Sequence, residues 1–385
     1  MKNLWTNGLC GILLLNVLAA CGDASVQDGQ PAQPEMHTKH NKPIASQSAH
    51  FSDQLKLQHH RQDTERFVMS KLYGPNGPYT NYQDSSETDM AATGHEVLSE
   101  SAGLLMHYDV LTNQKDAFQS EWERAKHIFD LPSGFSYRFS PKQDKKYTIN
   151  AAVDDLRIIS ALYDAGEQFH AAAYTELANT YGKRFYKHNI KDNKLYDFYD
   201  EKYKVTNDFV TLCYIDLSTM KRLPIPSKQQ ANLVLNMQEI IQNGYLSDKF
   251  PFYETRYHYD TGTYRSEGIN TVESVLTILT LSEAGLQHPE SISYLKDHVK
   301  NGTLYGQYDK NGTPQNQIQS TAIYAITSMI GSVLHDIDLY KDSIKQMEKY
   351  RVADKTSPLY GGFGDSATNQ AFSFDNLMAL LAYAH

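Results

Sequence analysis

Apolar positions along the chain recur in a fixed order: an aromatic-rich turn, a short polar stretch, then a segment whose large apolar residues fall at helical spacing. The turns are Leu72-Tyr73-Gly74, Gly134-Phe135-Ser136-Tyr137, Leu195-Tyr196-Asp197-Phe198-Tyr199, Phe252-Tyr253-Glu254, Leu304-Tyr305-Gly306-Gln307-Tyr308 and Leu359-Tyr360-Gly361-Gly362-Phe363. From Tyr73 to Tyr137, Tyr196, Tyr253, Tyr305 and Tyr360 the steps are 64, 59, 57, 52 and 55 residues, each long enough for one helical hairpin with its loop. Apolar helices are predicted over Val97 to Leu111, Leu156 to Tyr163, Tyr214 to Leu223, Val272 to Leu281, Ala322 to Ile330 and Leu377 to Ala384. More polar helices follow, as at Gln114 to Ile128, Ala171 to Phe185 and Gln229 to Gln242, and an early one near Asp53 to Leu72 has no inner partner before it. One inner and one outer helix, six times over, predicts an all-α (α/α)6 toroid that the early helix closes; an open solenoid of helical pairs is the alternative.

The ends of the chain add a location. Lys2 and an apolar run from Leu9 to Ala20, too short to span a bilayer, have the layout of a secretory signal. The run ends in Leu18-Ala19-Ala20-Cys21-Gly22, which looks like a lipobox and predicts cleavage before a lipidated Cys21. The expected organisation is therefore a signal peptide at 1–20, a flexible tether at 21–50 poor in large apolar residues, and one domain at 51–385. Cys10 leaves with the signal and Cys21 takes lipid, so Cys213 alone remains in the body and no intrachain disulfide is expected. His37, His40 and His50 sit on the tether, where nothing preorganises metal ligands; no metal site and no cofactor is expected.

A formal charge of −9 disfavours nucleic acid as a partner. Tyrosine is the unusual residue, 27 against 2 Trp, one of which is Trp5 in the signal; its flat apolar face with a polar tip suits sugar rings, and it equally suits helix packing. In a toroid the starts of the inner helices open at one end, which makes candidates of Glu96, Glu100, Asp154, Asp155, Tyr214, Asp216, Asn270, Glu273, Gln319, Tyr324, Asp375 and Asn376. Asp and Asn at helix starts are commonly caps. Glu100 is harder to dismiss, because Val97-Leu98-Ser99-Glu100-Ser101-Ala102-Gly103-Leu104-Leu105-Met106 surrounds it with small and apolar residues. Burial holds a carboxyl protonated, the state needed to protonate a leaving glycosidic oxygen; a buried Glu satisfied by a Tyr or Arg is the other reading.

These residues resemble glycoside hydrolase family 8, whose acid lies in Ser-Glu-Gly-x-Gly-Tyr-Gly-Met; Ser99, Glu100, Gly103 and Met106 fall in register. A second family segment, Ala-Thr-Asp-Gly-Asp-Leu-x-Ile-Ala-x-Ala-Leu, resembles Ala151 to Leu162, with Asp155 at the second Asp and Val153 at the first. That first Asp is the group at the cleaved ring, a role open to Asp154 one position along. Where the family carries its base, in Tyr-Asp-Ala-x-Arg, this chain has Asn270. The resemblance implies a glycoside hydrolase with Glu100 as general acid. For the base, Asp216 is the first choice, Asp260 in a recurring Tyr-Asp pair the second, and Glu273 the third. Asp154, Asp155, Tyr214, Asn270, Tyr253 and Tyr305 are expected to bind substrate, Arg157 to hold or neutralise the carboxylates, and Tyr73, Tyr137, Tyr196 and Tyr360 to line the rim.

The combined expectation is a monomeric, lipid-anchored, endo-acting hydrolase of a β-linked extracellular polysaccharide, inverting in mechanism. Two rivals use the same residues: a binding protein that kept the toroid without catalysis, suggested by Val153 and Asn270, and a polysaccharide lyase with a Tyr or His base.

Overall fold

The computed structural model describes residues 51–88 and 91–385, so the expected signal, tether and Cys21 lie outside the described residues. The long helices are α1 (Gln58–Phe67), α2 (Ser99–Leu111), α3 (Lys115–Phe129), α4 (Ala152–Gln168), α5 (Ala172–Asn189), α6 (Ser227–Asn243), α7 (Thr271–Glu283), α8 (Pro289–Asn301), α9 (Thr321–Val333), α10 (Ile337–Met347) and α11 (Ser373–Ala384). Helices α2, α4, α7, α9 and α11 are the inner ones, and α9 is buried at every position from Thr321 to Ser332. Outer helices bury one stripe, as α10 does with Leu339, Tyr340, Ser343, Ile344 and Met347. Each inner element packs on the next and α11 packs on α2, which closes the ring; α1 covers α11 from outside.

The third inner element departs from the continuous helix expected over Tyr214 to Leu223. It is a 3-10 turn at Leu212–Tyr214 followed by a four-residue helix, Leu217–Met220. Pro224 and Pro226 explain the early end, since a residue before proline is pushed out of helical backbone and proline itself gives no N–H.

Short strands stitch the approaches to the inner helices into one rim. Val97–Leu98, just before α2, pair with Arg138–Phe139 on the way to α4. Ile149 bridges Asp200, Thr211 pairs with Arg256, Ile269–Asn270 pair with Gln307–Tyr308, and Asn81 bridges Phe372 just before α11. All inner helices therefore start at the same end. Head and tail of the described chain meet where Phe51 N donates to His385 O at 3.0 Å, and Thr64 Oγ1 of α1 donates to Gly361 O at 2.8 Å. At Gly361 φ is +84°, and a Cβ would stand 2.8 Å from Asp63 O, so glycine is required there.

The fourth residue of three inner helices reaches back to its preceding aromatic turn. Asp155 Oδ1 accepts from Phe135 N at 3.1 Å, Ser274 Oγ accepts from Tyr253 N at 3.3 Å, and Asn376 Oδ1 accepts from Phe363 N at 2.8 Å while its Nδ2 donates to Phe363 O and Phe372 O. The repeated turns are thus bound to the helix starts by buried side chains. Replacing Asn376 by Leu strands the Phe363 backbone groups in the core; an unfolding stability lower by about 3 kcal/mol is expected from urea titration, with the denaturant slope unchanged.

Candidate active site

Glu100 is the second residue of α2 and is partly buried at the rim. Among the described residues no hydrogen bond or ion pair reaches its carboxyl. The third residue of α4, Asp154, faces it: Ser99 Oγ lies 3.4 Å from Asp154 Oδ2, and Arg157 NH1 donates to Asp154 Oδ1 at 2.6 Å. Burial and the Asp154 charge push Glu100 up to about 7, with the Arg157 cation acting the other way. The N-terminal end of α2 also favours the anion, by about 0.3–1 kcal/mol, too little to reverse a rise of that size. Two carboxyls here have one cation, and its hydrogen bond goes to Asp154. Glu100 is therefore the group that keeps a proton, although burial raises Asp154 as well.

Asp155, expected to bind sugar, is fully buried, and both of its oxygens are taken, one by Phe135 N and the other by Asn150 Nδ2 at 2.7 Å. It is a turn clasp. Of the two adjacent aspartates, only Asp154 faces Glu100, and Val153 is not needed for that. Tyr214 stands beside the pair, since its phenol is raised by burial and by the charges of Asp197, Asp154 and Glu100 among others.

Asp216 takes a different place from the one expected of a base. It caps Leu217–Met220, its Oδ1 accepting from Thr219 N at 2.8 Å and its Oδ2 from the Thr219 hydroxyl. Its charge acts on His107 and Glu283, whereas Glu100 feels Asp154 and Arg157. His107 lies seven residues past Glu100, about 10 Å down the helix axis. Asp216 thus stands deep in the ring because the short third element begins there. Around it lie Asp164, paired through Oδ1 with Arg222 NH1 at 2.5 Å, and Glu283, pushed up to about 8 by burial and by the Asp216 and Asp164 charges.

Asn270, at the family's base position, is the cap of α7, accepting from Glu273 N at 3.2 Å. Glu273, the third residue of α7, is the carboxyl that comes across the cleft. It is partly buried and raised by burial, with Arg256 opposing. Its charge and that of Asp197 act on Cys213, the neighbour of Tyr214. Tyr214 and Cys213 therefore lie between Glu100 with Asp154 on one side and Glu273 on the other. Asp197 was missed in the sequence because it sits inside an aromatic turn. It is buried and pushed up to about 7, and it accepts from Thr211 N and Oγ1 at 2.7 and 2.6 Å, a strand-fixing role.

Several other candidates serve the frame. Glu96 and Arg138 form a fully buried two-point ion pair at 2.7 and 2.8 Å. Gln319 accepts from Tyr324 and Tyr350 hydroxyls, Asp375 Oδ1 accepts from Ala322 N, and Asp260 caps its own exposed turn through Thr261 N. Tyr253 is only 3% exposed, which removes it from the rim. Tyr73 donates to Glu121, Tyr360 lies 3.5 Å from Asp63 Oδ2, Tyr137 packs on Tyr147, and Tyr196 on Tyr259. Tyr305 stays half-buried, its N–H on the Tyr308 hydroxyl. Two groups, Asp208 with His258 and Asp260, and Asp248 with His288 and Glu290, bring one ligand atom each within 4.8 Å of one another. Neither includes a cleft residue, and their separation along the chain hid them from motif reading.

No family model matches the chain. Among solved structures, a protein described as a novel alpha-amylase from Clostridium perfringens is 33% identical and superimposes with a TM-score of 0.79, over 84% of this chain and 97% of that one. PssZ from Listeria monocytogenes is 22% identical, with a TM-score of 0.63 over 83% and 93% of the two chains. Endoglucanase Cel10 from Klebsiella pneumoniae, a family 8 glycosyl hydrolase, is 15% identical, with a TM-score of 0.55 over 74% and 97%. Those two likenesses establish the fold. A putative lipoprotein, YdaJ, from Bacillus subtilis (strain 168) is 27% identical over 297 residues, 74% of this chain and 78% of that protein.

The deep carboxyl Glu283 makes stability depend on pH. Its folded pKa exceeds the ordinary glutamate value near 4.3, so its favourable contribution is complete below that value and is lost as pH rises through about 8. Glu283→Gln is expected to leave unfolding stability unchanged at about pH 4 and to raise it by about 2 kcal/mol at about pH 9. Urea titrations at the two pH values read the difference; equal stability of the two proteins at the alkaline value contradicts the assignment.

Proposed function

We propose that this chain, which belongs to the glycoside hydrolase family 8-like six-hairpin glycosidases, is a lipid-anchored enzyme that cleaves a β-linked extracellular polysaccharide with inversion, Glu100 serving as general acid. The observation that carries the reading is the Glu100 carboxyl: at the rim, unpartnered, and held near a pKa of about 7. A protonated acid there gives its proton to the departing glycosidic oxygen as the bond to the anomeric carbon breaks. Inversion needs a second carboxylate on the opposite face to take a proton from the attacking water. Glu273 is our choice for it, because it lies across Tyr214 and Cys213 from Glu100, while Asp216 is spent on its cap. Asp154 is the group nearest the acid and the one suited to a sugar hydroxyl, with Tyr214 and Tyr305 as apolar faces for adjoining rings.

Anchoring is supported by the lipobox ending at Cys21 and by a relative named as a putative lipoprotein. Among the described residues no helix is long and apolar enough to cross a membrane. A tethered enzyme meets the polymer of its own cell's surroundings first, which favours an exopolysaccharide and internal cleavage. A second reading, an α-linked glucan as substrate, is favoured by the alpha-amylase description of the 33% identical structure.

Reducing ends released from β-glucan, xylan, chitosan and amylose by the purified domain separate the two substrates, and the absence of unsaturated products excludes elimination. On whichever polymer is cut, Glu100→Gln and Glu273→Gln are each expected to lower kcat by about 10³-fold, while Asp216→Ala keeps its activity and loses about 1 kcal/mol of stability with its cap. Full activity in Glu273→Gln would remove that residue as the base. The acid must be protonated, so kcat/KM is expected to fall as pH rises through about 7; an alkaline limb set near the ordinary carboxylate range contradicts the role given to Glu100.

A further inference from the structure

On α2, Glu100, Gly103 and His107 stand three and seven residues apart and so share one stripe. The facing stripe of α4, which packs against it, carries Asp154, Arg157 and Asp164, the second and third standing three and ten residues past the first. Arg157 runs along the seam between them. At the rim its NH1 donates to Asp154 Oδ1 at 2.6 Å. Midway its stem crosses α2 at Gly103, where a Cβ would lie 3.1 Å from Arg157 Cδ and 3.2 Å from Cγ, inside the usual carbon contact of about 3.5–4.0 Å. Lower down, His107 Nε2 lies 3.1 Å from the Arg157 carbonyl oxygen. Only a protonated ring nitrogen donates to a carbonyl, which assigns the proton to Nε2. Burial, aided by the Arg157 charge, pushes His107 down to about 4, so the ring stays neutral. Its Nδ1 is 3.8 Å from Asp164 Oδ2, beyond hydrogen-bond reach, and Asp164 is occupied by Arg222.

We propose that Arg157 is a positioning residue for the acid, seated by the missing side chain of Gly103 and by the His107 ring, so that the single cation of the seam gives its hydrogen bond to Asp154 and stays close enough for its charge to act on Glu100. The inference rests on Glu100 being the acid. The groups that face Glu100 are Asp154 and Arg157 from α4 and Tyr214 from the short third element. From α11, which is tied to α2 by Ser101 Oγ and Ser373 Oγ at 2.9 Å, the nearest acidic residue in sequence is Asp375, whose Oδ1 is engaged by Ala322 N. A seat at Gly103 explains a glycine in the middle of a helix, where it costs about 1 kcal/mol relative to alanine. It also gives His107 a use that involves no proton transfer.

The test needs no substrate. Carbon-13 side-chain carboxyl shifts of the free protein, with the Glu100 signal assigned by its loss in Glu100→Gln, are followed against pH in the wild type, Arg157→Gln, Arg157→Lys and Gly103→Ala. Removing the cation or pushing its stem off Gly103 raises the Glu100 midpoint by about half a pH unit or more, and Arg157→Lys restores it toward the wild-type value. A wild-type midpoint in Gly103→Ala alongside a raised one in Arg157→Gln overturns the seat, and a wild-type midpoint in both overturns the positioning role. Should Gly103→Ala fail to fold, His107→Ala reads the same shift from the other end of the seat. Failure of the enzymatic reading is visible separately, as reducing-end release that survives Glu100→Gln.

Discussion

Two carboxyl groups and one guanidinium share a poorly solvated place at the start of α2 and α4, and the rest of the site depends on how that imbalance resolves. Arg157 donates to Asp154, so the proton remains with Glu100. The same two acids with a second cation beside them would both be ionised, and the rim would hold a binding surface with nothing to donate. An acid made in this way needs no special residue type. It needs a ring that brings two helix starts together and a side chain whose direction is fixed.

The fold supplies both through its repeats. Strand pairs and bridges between successive turns bring the inner helix starts to one rim. On three of those helices the fourth residue, Asp155, Ser274 or Asn376, holds the preceding turn, and the third is acidic: Asp154, Glu273 or Asp375. Adjacent residues on a helix point about 100° apart, so one position serves the frame and the next is left to face the neighbouring inner helices. The carboxyls on the two sides of Tyr214 are thus products of the same local geometry used twice. Asp375 spends its carboxylate on Ala322 N, and that repeat supplies no free acid.

The toroid was legible because apolar spacing alone separates the inner from the outer helices, and because the tyrosine turns mark each unit. The third repeat was misjudged, although Pro224 and Pro226 stood in plain view, since its apolar residues keep helical spacing beyond the point where the backbone turns. Which of Asp154 and Asp155 faces the cleft could not be read from composition. That depends on where α4 begins, and a shift of one residue exchanges their roles. Asp216 looked like a base for a similar reason: its position along the chain matched, but its depth in the ring was set by the shortened element. The aromatic turns were ambiguous from the start, and Tyr253 shows how readily a tyrosine expected at a sugar becomes part of the core.

The central claim is that Glu100 carries a proton near neutrality while its neighbour does not. Infrared difference spectra between the wild-type domain and Glu100→Gln test it most directly. At about pH 6 the account predicts the carbonyl stretch of one protonated carboxylic acid, present in the wild type, absent in the variant, and replaced by carboxylate bands at about pH 8. A wild-type spectrum at about pH 6 that shows Glu100 already as a carboxylate would contradict the account.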